Sequence, residues 1–215
     1  MKKTKFTASI IFLHGLGDTG EPWAEALSEI AETHVKIVCP TAPVIPVSLN
    51  NGTRMPAWFD IKSLNDVSLE DINGIQSASR FVHALIEKEV EAGIRANRIL
   101  VAGFSQGGAL ALHSTLTYPK KLAAVVAMSS WLPLSTLFTP SQVTANRNIP
   151  ILLCHGNRDN IVPYTFAQLT SFVLRGITRK LEFKTYSGLL HTTSPAEMMD
   201  VKKFISTYLP SSSPL

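Results

Sequence analysis

A five-residue turn, Gly103-Phe104-Ser105-Gln106-Gly107, restricts what this chain can fold into more than any other stretch. Arg98-Ile99-Leu100-Val101-Ala102 precedes it, a short apolar run rich in β-branched residues that reads as a buried strand. Gly108-Ala109-Leu110-Ala111-Leu112-His113 follows, and these are mostly strong helix formers. A passage from strand to helix in so few residues has to be tight. Glycine is demanded on both sides of the serine because a side chain there collides with the neighbouring strand or helix. Ser105 is then expected to hold a strained backbone conformation with its hydroxyl projecting.

The rest of the chain supplies the sheet that such a turn requires. Apolar runs at residues 8–13, 35–39, 99–103, 123–128, 151–154 and 181–186 read as strands. Helical patterns lie between most of them, at residues 22–33, 69–90 and 163–175, with a last one at 195–209. In the second of these, Ile72, Ile75, Ser79, Val82, Ile86 and Val90 share a face, so it packs on a core. The third is expected to stop at Gly176. In the last, Met198, Val201, Ile205 and Tyr208 share a face. Uniformly apolar strands alternating with helices argue for an α/β chain with a mostly parallel central sheet covered on both faces. Residues 40–60 hold four prolines and Trp58, and residues 131–148 hold Trp131, Pro133 and Pro140. Both read as long loops too apolar to be merely solvated, hence as walls or lids of a binding groove. Residues 1–209 form one domain on this reading, and residues 210–215 a flexible tail.

A length of 215 residues with 45% hydrophobic content supports one sizeable core. The formal charge is +4, but Lys and Arg are dispersed and no aromatic-interleaved basic patch appears, so nucleic acid is not expected as a partner. Lys2, Lys3 and Lys5 read as a solvated flexible terminus, with transient contact with an anionic membrane surface as the alternative. The apolar run at residues 10–13 is too short for a signal peptide and breaks at His14-Gly15, so a cytoplasmic chain is expected. Cys39 and Cys154 fit that compartment as small buried hydrophobes. His14, His34 and His83 lack metal-ligand spacing, and no Gly-Lys-Ser/Thr follows a glycine-rich loop, so no cofactor is expected.

A serine between glycines at a strand-to-helix turn is the nucleophile elbow of α/β-hydrolases, whose partners follow in the order nucleophile, acid, histidine. Between Ser105 and His191 the carboxylates are Asp159 and Glu182. Glu182 alternates with Leu181 and Phe183, as an outward strand residue does, whereas Asp159 stands just beyond the carboxyl end of a strand. Ligands bind beyond that end of open α/β sheets, and His191 also follows a strand there. His113 lies in the helix after the elbow and His155 at a strand end. The catalytic residues expected are therefore Ser105, Asp159 and His191, with imidazole as base and the carboxylate fixing its tautomer. His14-Gly15-Leu16-Gly17-Asp18 follows the first strand. Such a fold draws one oxyanion-hole amide from there and the other from the residue after the nucleophile, which gives Leu16 and Gln106.

Six segments extend the pattern: His14-Gly-Leu-Gly-Asp-Thr-Gly, Met55-Pro-Ala-Trp-Phe-Asp-Ile, Gly103-Phe-Ser-Gln-Gly-Gly-Ala, Ser130-Trp-Leu-Pro-Leu, Cys154-His-Gly and Met198-Met-Asp-Val-Lys. Together, and in this order, they resemble the acyl-protein thioesterase family, also described as lysophospholipase I-like carboxylesterases. The resemblance implies a compact α/β-hydrolase without a large cap domain that cleaves acyl thioesters or esters, commonly palmitoyl-cysteine on proteins. It implies an acyl groove near Trp131 and the loop at residues 40–60. Eukaryotic members often carry an acylated cysteine ahead of the first strand, but here none precedes Cys39, so self-acylation is not expected. An acyl chain leaving a bilayer gains almost nothing from an equally apolar groove, so that groove has to be dry. Trp58, Trp131 and Leu132 are expected to build it, with Leu134 and Phe138. The substrate is expected to be an S-acylated protein or a lysophospholipid, and the enzyme a monomer or weak homodimer. Competing readings are a lysophospholipase, a generic short-chain carboxylesterase, or a non-catalytic binding module, which usually lacks one member of the triad.

Overall fold

In a computed structural model that describes residues 6–64, 69–138, 143 and 145–211, the alternation becomes one parallel sheet. Its strands are β1 (Ala8–Leu13), β2 (Val35–Val38), β5 (Ile99–Phe104), β6 (Ala124–Met128), β7 (Ile151–Gly156) and β8 (Leu181–Tyr186). They run in the order β2-β1-β5-β6-β7-β8, every neighbouring pair parallel. The helices are α1 (Glu21–Ser28), α2 (Ile72–Glu91), α3 (Gln106–Thr117), α4 (Tyr164–Ile177) and α5 (Pro195–Tyr208). Alternate strand residues feed two cores. Ile11, Val101, Val125 and Leu153 pack with α2, α3 and α4 on one face. Ile10, Leu100, Val126 and Leu152 pack with α1 and α5 on the other. The strands of the sheet interior are buried along nearly their whole length, which is why they read as unbroken apolar runs.

Several boundaries and one element differ from the sequence reading. Asp71 caps α2 by accepting the Gly74 amide at 3.0 Å, so the helix starts after it and Ile72 is left exposed. Helix α1 ends at Ser28, and α4 runs through Gly176 to Ile177. Gly176 does not end α4; Thr178 does, its hydroxyl donating to the Ile149 carbonyl at 2.8 Å. Within residues 40–60 lies an antiparallel hairpin, β3 (Val44–Val47) and β4 (Thr53–Pro56). Pro46 and Pro56 hid it, since proline argues against strands. The signal was Asn51-Gly52 at its turn, both with positive φ. The basic residues Lys2, Lys3 and Lys5, Pro140 and residues 212–215 of the expected tail lie outside the described residues. Both cysteines are free; Cys154 is buried and Cys39 half-buried. Burial pushes the Cys39 thiol up to about 12 and raises that of Cys154 as well. Among the described residues no helix is long and apolar enough to cross a membrane.

One buried charge has a measurable consequence. Glu197, in the first turn of α5, is fully buried, and burial raises its carboxyl to about 7. A carboxyl raised above its unfolded value binds a proton in the folded state that the unfolded chain releases, so stability falls as pH rises from about 4.5 to about 7. Glu197→Gln is therefore expected to stabilise the protein at pH 8 by up to about 3 kcal/mol and to have little effect at pH 4. Denaturant melts at the two pH values measure this.

Candidate active site

Sterics build the elbow. A Cβ on Gly103 would lie 2.3 Å from the Gly107 carbonyl carbon, and one on Gly107 would lie 2.0 Å from the Leu13 carbonyl oxygen. Only glycine lets β5 turn into α3 beside β1. Between them Ser105 holds φ 53°, a costly conformation for a residue with a side chain. The backbone around it holds it there. Its amide donates to the Met128 carbonyl at 2.8 Å, and its carbonyl accepts from the Ser130 hydroxyl at 2.7 Å and the Ala109 amide at 3.0 Å.

The structure brings Ser105, Asp159 and His191 together. His191 Nε2 lies 3.0 Å from Ser105 Oγ, and His191 Nδ1 lies 2.7 Å from Asp159 Oδ2. The carboxylate needs a proton at Nδ1, which leaves the Nε2 lone pair facing the serine hydroxyl. The loop after β7 and the loop after β8 are tied to each other. The Asn157 and Arg158 amides donate to the Tyr186 and Leu189 carbonyls at 3.1 Å each, and Asn157 Oδ1 accepts the Gly188 amide at 2.8 Å. Burial pushes Asp159 up, but the hydrogen bonds from His191 and from the Ile161 and Val162 amides, both 2.9 Å, outweigh it, so its carboxyl lies below the ordinary value. The carboxylate therefore stays charged although it is 8% exposed. Phe104 packs against the imidazole with ring centroids 4.9 Å apart.

Leu16 follows β1 on a loop held from three sides. Gly17 donates to the Pro56 carbonyl at 2.8 Å, Trp58 Nε1 donates to the His14 carbonyl at 2.9 Å, and Trp23 Nε1 donates to Asp18 Oδ2 at 2.7 Å. His14 is fully buried and accepts the Ala42 amide at Nε2, so its own proton sits at Nδ1 and bonds the Gly15 carbonyl at 2.7 Å. Burial lowers its pKa and keeps it neutral. Among the described residues the Leu16 and Gln106 amides have no acceptor. Leu16, Ser105, His191 and Trp131 line a common hollow of about 480 Å³.

Other expectations need correction. Trp131 lines this hollow and a narrower apolar one beside it, with Ile61, Leu64 and Val162 shared by both. Trp58 and Leu132 line neither. Trp58 is 5% exposed, its backbone amide bonded to the Gln106 side chain at 3.0 Å, and so braces the Leu16 loop instead. Leu132 is a core residue whose amide donates to Thr170 Oγ1 at 2.8 Å. Leu134 is also in the core, and Phe138 packs edge-on against His113 with centroids 5.5 Å apart. Burial lowers His113 to about 4. Residue type could not separate wall from core, because both are apolar. Sequence reasoning also passed over His14, Ser130 and His155, which hold site residues in place. Buried His155 donates from Nε2 to the Val162 carbonyl at 2.9 Å, 3.4 Å from Asp159 Oδ2. The one available signal was that all three sit in the matched segments.

Comparison with known proteins identifies the family. The family profile described as Phospholipase/Carboxylesterase matches residues 1–209. The chain belongs to the phospholipase/carboxylesterase family. An acyl-protein thioesterase 1 of Gibberella zeae is 40% identical over 218 aligned positions, covering 96% of this chain and 93% of that one. The Schizosaccharomyces pombe acyl-protein thioesterase 1 is 39% identical, covering 94% and 92%. The crystal structure of Zea mays acyl-protein thioesterase 2 superposes with a TM-score of 0.83 at 33% identity, covering 97% of this chain and 96% of that one. The fold is thus that of the α/β-hydrolases, and membership of the phospholipase/carboxylesterase family makes the chain a hydrolase.

Proposed function

We propose that the protein removes acyl groups from cysteine thioesters on proteins through an acyl-Ser105 intermediate. The observation that carries this is the bonded relay from Ser105 Oγ through His191 to Asp159 at the floor of a hollow also lined by Leu16. Relatives that are acyl-protein thioesterases 38–40% identical to the chain support the choice of thioester over other acyl bonds.

In this reading each group has a role. His191 Nε2 takes the Ser105 proton as Oγ attacks the thioester carbonyl. Asp159 stabilises the imidazolium, and the Leu16 and Gln106 amides receive the oxyanion, each such donor worth about 3–4 kcal/mol. The carbon–sulfur bond breaks and the thiol leaves with the imidazolium proton. Water, deprotonated by His191, then attacks the acyl-serine; the acyl carbon–Oγ bond breaks, the imidazolium returns its proton to Oγ, and a fatty acid leaves. Neither a metal nor an organic cofactor is assigned a role.

The acyl chain is assigned to the apolar hollow beside Trp131. As it stands that hollow holds about 30 Å³, room for about two waters. A long chain enters only when its walls part, whereas a short ester needs no opening, and this favours a short-chain carboxylesterase as the second reading. Long-chain acyl-cysteine peptides, lysophospholipids and short esters assayed side by side separate them. The highest kcat/KM is expected on the acyl-cysteine peptide, and a preference for short esters or lysophospholipids overturns the substrate assignment. Trp131→Ala is expected to lower kcat/KM for a long-chain thioester about tenfold more than for a short one, since the lost wall amounts to roughly 1–2 kcal/mol of apolar burial.

A further inference from the structure

The dispersed cations of the sequence gather in the fold. Arg147, Arg175, Arg179 and Lys180, with Asn148 and Thr178, surround an open hollow of about 660 Å³. It lies at the end of α4 and the starts of β7 and β8, where the Ile151 amide donates to the Lys180 carbonyl at 2.9 Å. Among the described residues none of the four cations has a carboxylate within 4.0 Å. Four like charges around one concavity repel each other and focus a positive field into it. The outer face of α4 runs into the same place. Leu169 and Phe172 are 65% and 80% exposed, one turn apart, and Gly176 follows one turn after Phe172 at the rim. A Cβ on Gly176 would meet nothing within 4 Å, so the approach from Phe172 to the hollow is open.

We propose that this surface docks an acidic protein segment, with carboxylates in the cationic hollow and a neighbouring apolar side chain against Leu169 and Phe172. Arginine's planar fork suits carboxylates held bidentately, and an exposed aromatic beside a charged concavity is how a docking anchor is presented. A bilayer is the poorer occupant because a planar surface cannot reach into a concavity. The hollow also sits at the amino ends of the strands, whereas Ser105, Asp159 and His191 follow the carboxyl ends of β5, β7 and β8. Six-residue strands span about 20 Å, so a membrane docked here would face away from the catalytic mouth. Free inorganic anion leaves the apolar stripe uncovered.

Fluorescence anisotropy tests this on the intact protein with a labelled peptide rich in Glu and carrying interspersed Leu and Phe. The wild type is expected to bind it in a salt-sensitive manner. Arg175→Glu with Arg179→Glu is expected to weaken binding at least about tenfold, Arg147→Glu to weaken it less, and Phe172→Ser to weaken it without changing the salt dependence. Hydrolysis of a short ester should be unchanged in all of them, since none of these residues lines the catalytic hollow. The proposal is overturned if the peptide fails to bind, if the variants bind it as well as the wild type, or if inorganic phosphate displaces it as well as unlabelled peptide does at equal ionic strength. Binding to phosphatidylserine vesicles without binding to the peptide overturns it in favour of a membrane site.

Discussion

Ser105→Ala is expected to lower kcat on an acyl thioester by on the order of 10⁴- to 10⁶-fold, leaving only what binding and the oxyanion amides supply. The loss should be purely chemical. The bonds that hold the elbow use the backbone of residue 105, to Met128, Ser130 and Ala109, and they survive the substitution. The unfolding midpoint should therefore stay near that of the wild type. Asp159→Asn gives a second view of the same relay. Its amide would present a donor to His191 Nδ1 in place of an acceptor, move the ring proton to Nε2 and leave the serine hydroxyl facing a donor. A loss of roughly 10⁴ in kcat is expected. Stopped assays on long- and short-chain thioesters measure both variants, and circular dichroism melts establish that they fold.

Gly107→Ala is expected to fail differently, through the fold. The added methyl would lie 2.0 Å from the Leu13 carbonyl oxygen and 2.5 Å from that of His14, both backbone atoms where the interior strand β1 ends. Neither can move without disturbing the end of the β1–β5 ladder, where Leu13 pairs with Gly103. A cost of roughly 3–5 kcal/mol or more is expected, enough to unfold a marginally stable domain. The same substitution at Gly176 has the opposite sign. That glycine is helical, sits in open space, and as alanine is expected to stabilise by about 1 kcal/mol. Denaturant melts of the two variants side by side make the contrast: destabilisation at 107, stabilisation at 176.

What the sequence makes legible follows from how each feature is encoded. A strand buried on both faces is uniformly apolar, so β1 can be read to its end residues; the edge strand β8 is legible by another signal, the alternation of Leu181 and Phe183 with Glu182 and Lys184. The elbow is legible because its two glycines answer a local steric demand. Asp159 and His191 are legible because loop position and chain order left one plausible residue of each type. The hairpin of β3 and β4 is obscured because its local propensity opposes its tertiary role, with prolines placed where a two-stranded ribbon tolerates them. The acyl wall is harder still. Trp58 and Trp131 are chemically the same residue, and which one faces the hollow depends on contacts with Gln106 and His14 that are remote in sequence. The cationic hollow is invisible for the same reason, since Arg147 meets Arg175 and Arg179 only after β7 and α4 have packed.

The acyl-enzyme is the most direct object to measure. Wild-type protein quenched in acid during turnover of a palmitoyl thioester, then digested and analysed by mass spectrometry, is expected to carry a palmitoyl group on Ser105. The adduct should accumulate within one turnover and disappear when substrate is exhausted. In Ser105→Ala both the adduct and turnover should be lost. Turnover without any adduct on Ser105, an adduct that forms on Cys39 instead, or continued hydrolysis by Ser105→Ala would contradict a covalent mechanism at the elbow.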